Sequence, residues 1–136
     1  MKIIAASLLF VSAIAGASAE ELIFDVTFKD TIIAAGTEGF ALGDRVILAD
    51  VLKKDGADAG STSGVCTITD TQGVMHCAIV FVLPDGTITT QFVNTPPPEK
   101  HFALYGGTGA YAGRDGSGIL LEHGDGTGKL TLTIED

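Results

Sequence analysis

The sequence contains no tryptophan, and positive charge is scarce: 8 Lys and Arg residues stand against 17 Asp and Glu, for a net charge of −9. A surface this acidic repels phosphate backbones and anionic headgroups, so nucleic acid and membrane surfaces are not expected as partners. Beyond residue 19 there is no apolar run long enough to cross a bilayer, and no window carries a helical apolar stripe. Zinc-type cysteine pairs, a Gly-x-Ser-x-Gly elbow and a phosphate loop are all missing. His76, His101 and His123 fall on separate apolar segments with no i, i+2 pairing, so no metal is expected. Gly107-x-Gly109-x-x-Ala112 fits a loose dinucleotide fingerprint. That fingerprint requires a helix to follow, whereas this chain stays glycine-rich and returns to a strand pattern at Gly118, so no cofactor is expected.

What is present begins with a secretory leader pattern. Lys2 supplies a positive start, Ile3 to Ile14 an apolar run, and Ala17-Ser18-Ala19 the small residues of a cleavage site. The expected division is a signal peptide over residues 1–19 and a single domain over residues 20–136, secreted to the periplasm or the cell exterior. Loss of Lys2 makes the remaining chain still more acidic.

Short runs rich in Val, Ile, Thr and Phe recur along residues 20–136 with turn residues between them. The spacing predicts strands over Leu22–Phe28, Arg45–Lys53, Ser63–Thr69, Val74–Leu83, Thr87–Val93, His101–Tyr105, Gly118–His123 and Lys129–Ile134. Pro84-Asp85-Gly86 and Gly124-Asp125-Gly126 are turn signals. Connectors this short make neighbouring strands antiparallel. Eight such strands form either two stacked sheets or a closed, lipocalin-like barrel, and pattern alone does not separate the two. The two cysteines, Cys66 and Cys77, lie about equally far from the turn at Asp70–Gly73, which places them opposite each other across a hairpin. An exported chain favours a disulfide there.

Three segments together resemble the allene oxide cyclase and dirigent barrel superfamily. Ala41-Leu42-Gly43-Asp44-Arg45-Val46 is similar to a Leu-Gly-Asp-x-Val strand opening, and Ser63-Gly64-Val65-Cys66 to an Ala-Gly-x-Cys segment of the cyclases. The third, Tyr105 to Gly116, resembles the Gly-Gly-Thr-Gly signature that both subfamilies carry before a late strand. The resemblance implies an all-β, eight-stranded antiparallel barrel with an apolar central cavity, assembled as a homodimer or homotrimer.

The same resemblance nominates site residues. Asp25 and Thr27 stand where the cyclases carry Glu-x-Asn on the first strand. Asp50 stands at a cavity asparagine of the cyclases and at the first aspartate of a dirigent motif. Asp25 and Asp50 are therefore the catalytic candidates, and Thr27, Tyr105 and Tyr111 the ligand-binding ones. Strand alternation offers Asp25 a second placement, facing water while Phe24 and Phe28 fill the core. Asp50 likewise has an outward alternative. No proline occurs between Lys29 and Gly43, and Asp50-Val51-Leu52 replaces the dirigent Asp-Asp-Pro-Leu, so neither subfamily's full active site is present. The expected function is a cofactor-free cyclase or isomerase acting on a hydrophobic small molecule. The alternatives are a dirigent-like auxiliary protein steering phenolic radical coupling, and a non-catalytic secreted binding protein.

Overall fold

The computed structural model describes residues 18–34, 41–96 and 98–136. Most of the leader, residues 1–17, lies outside the described residues. Ten strand segments follow in order: β1 (Glu20–Thr27), β2 (Asp30–Ile33), β3 (Arg45–Leu48), β4 (Val51–Lys54), β5 (Ala57–Ile68), β6 (Met75–Leu83), β7 (Gly86–Asn94), β8 (Glu99–Gly107), β9 (Gly116–Glu122) and β10 (Thr127–Ile134). Every pairing is antiparallel, and the β5–β6 ladder joins the sheet's two ends into a closed barrel. Segments β3 and β4 both pair with β5 and occupy one place in the ring, which makes the barrel eight-stranded. Segment β2 continues the course of β1 past the rim and pairs with β3.

Alternation along each strand sets what faces inward. On β1, Phe24 and Val26 are buried while Ile23 and Asp25 are exposed. On β8, Lys100, Phe102 and Leu104 are buried while Glu99, His101 and Tyr105 are exposed. One end of the barrel is filled: Leu83, Ile88, Leu104, Leu132, Ile134 and Tyr111 close it as part of the main apolar cluster. A single 3₁₀ turn, Gly109–Tyr111, carries the Tyr111 ring onto that end.

Three details depart from the pattern-based expectation, the first being β2, a segment the spacing did not predict. The connector expected over Lys54–Gly60 shrinks to a turn at Asp55 and Gly56, both at positive φ, and β5 starts at Ala57. An Asp-Gly pair suits a two-residue hairpin turn, and polar strand residues hid the strand beyond it. The strand expected over Arg45–Lys53 is interrupted at Ala49 and Asp50.

The cysteines face each other in register and form the disulfide, with both side chains inward. Across the barrel wall, Gly118 stands opposite Phe102. A Cβ there would come 2.1 Å from the Phe102 ring. That ring is stacked against Phe92 at 5.0 Å and Phe81 at 6.1 Å, so displacing it would break these stacks and push it into the open interior. Gly118→Ala is therefore expected to cost about 1–3 kcal/mol by overpacking. Urea unfolding measures this, and an unchanged midpoint would mean the ring can swing away.

Candidate functional site

The end of the barrel opposite Tyr111 is hollow. A cavity of about 390 Å³ runs in from the rim, with Val46, Leu52, Ile79, Phe81, Phe102 and Leu130 among its apolar walls. The volume lies in the range of small-molecule sites. Gly124 and Gly126, in the β9–β10 turn, line its mouth without side chains to block it. Its polar side chains are Asp30, Asp50, Thr62, Asn94, Lys100 and Glu122.

Asp50 occupies the strand break and is only 4 % exposed. Its Oδ1 accepts the Lys29 backbone N–H at 2.9 Å, and its Oδ2 accepts the Thr62 hydroxyl at 2.8 Å. The Thr62 oxygen in turn accepts the Asp50 backbone N–H at 2.9 Å. Thr62 N–H donates to the Asp50 carbonyl at 3.0 Å. The carboxylate thus takes over bonds that the ladder loses where β3 gives way to β4. Ionised, it has about four acceptor directions, of which these bonds use two, and the residue lines the cavity.

Lys100 lies half a barrel away from Asp50 in strand order. Its Nζ donates to the Thr95 carbonyl at 2.7 Å and stands 3.6 Å from Glu122 Oε2. The site therefore holds a hydrogen-bonded aspartate on one wall and a lysine–glutamate pair on the other. Asp30 sits at the mouth between them. Partial desolvation, with the charges of Asp50 and Glu122, pushes its carboxyl above the usual carboxylate range.

Of the residues singled out from sequence, Asp50 lines the cavity. Asp25 sits on the exposed outer face of β1, opposite Lys53 and Lys129 on the neighbouring strands. The physical reason is alternation: Phe24 and Val26 take the inward places. Thr27 is half-buried on that same outward side and does not line the cavity. Tyr105 is 62 % exposed on the outer wall. Tyr111 is buried at the closed end, where burial and the charges of Glu20 and Asp85 raise its hydroxyl pKa. Cys66 and Cys77 both line the cavity as the disulfide.

Sequence reading missed Asp30, Lys100 and Glu122. A signal for two of them was present. Lys100 is two residues before Phe102 and Glu122 two after Leu120, so period-2 alternation puts each on the face of an inward apolar residue.

The barrel superimposes on a pyocyanin demethylase with a TM-score of 0.77 at 24 % identity, over 85 % of this chain and 99 % of that one. The fold is that of the dirigent-like barrels. The pterocarpan synthase dirigent protein GePTS1 matches this dirigent-like barrel with a TM-score of 0.74 at 16 % identity, over 99 % of this chain and 98 % of that one. The Diels-Alderase AbmU from Streptomyces koyangensis gives 0.76 at 16 % identity, over 91 % and 71 %. The sequence matches no protein-family model and no curated relative.

Asp30 generates a pH prediction. Its folded pKa is raised, so the fold prefers the protonated form. The cost of carrying the charge is absent below the unfolded value of 3.8, grows as pH rises through the folded pKa, and is complete above it. Asp30→Asn is expected to raise the melting temperature at pH 7 and to leave it unchanged near pH 3. Thermal scans across that range check this; a variant equally stabilised at both ends would contradict it.

Proposed function

We propose that this dirigent-like barrel is exported, takes a small, largely apolar molecule into its open end and acts on it as a cofactor-free cyclase or isomerase. The observation that carries the reading is the cavity itself: apolar walls with a buried, hydrogen-bonded aspartate among them. A shaped apolar pocket restricts a flexible substrate to a reactive conformer. A carboxylate in it polarises the substrate or relays a proton. In this reading Asp50 is the catalytic residue. Asp30, raised toward its protonated form, takes the second carboxyl role first given to Asp25, which stands outside the cavity. Solved structures of the same fold include proteins described as a cyclase, Diels-Alderases and dirigent proteins, which supports this class of chemistry. The leader pattern and the Cys66–Cys77 disulfide support export. Assembly into dimers or trimers belongs to the same reading. Ile23 on β1 and Ile119 and Leu121 on β9 are exposed apolar side chains on either side of Thr131 and Lys129 of β10, and a second copy would cover them.

A dirigent-like role without turnover is the second reading. The aromatic wall of Phe81, Phe92 and Phe102 favours it, because stacked rings can hold a phenolic partner by one face.

The test begins with protein purified from its native host and extracted for retained small molecules by mass spectrometry. An apolar compound of cavity size is expected, and incubation with that compound or its precursor separates the readings. Under the cyclase reading, the protein converts it. Asp50→Asn then lowers kcat by about 10²–10⁴-fold, the usual contribution of a positioned acid or base. Unchanged turnover in a folded Asp50→Asn protein would reject the proton role. Binding without conversion leaves the dirigent-like reading.

A further inference from the structure

The charge inside the cavity does not balance. Asp30, Asp50, Lys100 and Glu122 are the ionisable side chains among the described residues lining it. The Lys100 ammonium stands against Glu122, so one cation is matched by one anion. Asp50 is bonded by a backbone N–H and a hydroxyl, neutral donors that satisfy lone pairs without cancelling its charge. Asp30 adds a second carboxyl at the mouth. After partial desolvation, the charges of Asp50 and Glu122 are what raise the Asp30 carboxyl, so all three carboxyls face the same region of the mouth. Apolar walls lower the local dielectric, which strengthens that potential.

The same cavity is lined by aromatic faces. Phe92 and Phe102 stack at 5.0 Å, with Phe81 beyond. Phe28 follows the end of β1, half the ring of strands away from the Phe92 strand β7, so aromatic side chains come from opposite walls. Ring faces attract cations. A compact ammonium would lose strong hydration on entering such a pocket. A delocalised aromatic cation loses less, and it stacks as well.

We infer that the cavity selects a flat aromatic ligand bearing a delocalised positive charge, its rings among Phe28, Phe92 and Phe102 and its charge toward Asp30 and Asp50. This rests on the reading of the cavity as a small-molecule site and specifies the ligand class. It ranks phenolates and carboxylates as poor ligands, despite the lysine in the wall.

Three probes of one shape and different charge test it at pH 8: 10-methylacridinium (cation), acridine (neutral) and anthracene-9-carboxylate (anion), each titrated by fluorescence or calorimetry. The cation is expected to bind at least about tenfold tighter than acridine, with the anion weakest. In the double variant Asp30→Asn/Glu122→Gln the preference for the cation over acridine should fall below about threefold, with acridine affinity retained. Asp30→Asn alone, at the exposed mouth, should lose part of it and serves if the double variant does not fold. Equal affinity for cation and neutral probe would overturn the ligand class and leave the small-molecule site standing. Tightest binding of the carboxylate would overturn it as well, with Lys100 then setting selectivity. If no probe binds, the ligand class and the site fail together.

Discussion

A single carboxylate holds the barrel wall together where two neighbouring strands break at the same level. Between β1 and β2, and again between β3 and β4, the regular ladder lapses. Backbone groups left unpaired inside a wall cost about 1–3 kcal/mol each. Asp50 takes the Lys29 N–H on one oxygen and the Thr62 hydroxyl on the other, bridging from β5 to the start of β2. Direct backbone bonds also cross the break: Ala49 N–H reaches the Lys29 carbonyl at 3.3 Å and Thr62 N–H the Asp50 carbonyl at 3.0 Å. The same bonds that repair the wall leave a charged group at the cavity surface. Architecture and candidate chemistry therefore share one residue, and a substitution there must be read for both.

The rest of the barrel divides around that level. Toward one end, large side chains and the Tyr111 ring fill the interior. Toward the other, short or polar residues such as Thr62, the Cys66–Cys77 pair, Asn94 and Glu122 share the inward places with apolar walls and leave the interior hollow. Gly118 gives up a side chain so that the Phe102 ring lies flat in the stack, which shapes the wall. A largely apolar interior with an open, acidic rim follows from this distribution. In the proposed reading, such a site sorts ligands by apolar area and by charge.

Strand count, antiparallel pairing and the disulfide were legible because each rests on local pattern: alternation, turn residues, and cysteines symmetric about a turn. Closure into a barrel was not, since two stacked sheets share that pattern; the glycine motif from Tyr105 to Gly116 pointed to it only through resemblance. The break at Asp50 was half-legible. A lone acid in Ile47-Leu48-Ala49-Asp50-Val51-Leu52 marked the residue, while its partners Thr62 and Lys29 lie 12 and 21 positions away and have no sequence signature. Asp25 shows the opposite case. The resemblance drew attention to it, and the alternation of Leu22, Phe24 and Val26 placed it outside. Lys100 and Glu122 went unremarked because charged residues on strands are ordinarily solvated, and only counting from Phe102 and Leu120 turns them inward.

The dependence of the wall on the Asp50–Thr62 contact is most directly measured by a double-mutant cycle. Stabilities of the parent, Asp50→Asn, Thr62→Val and the combined variant would be taken from urea unfolding. A charge-assisted hydrogen bond joining two broken strands predicts a coupling of about 1–3 kcal/mol between the substitutions. Effects that simply add, within about 0.5 kcal/mol, would contradict it and leave Asp50 an incidental lining residue.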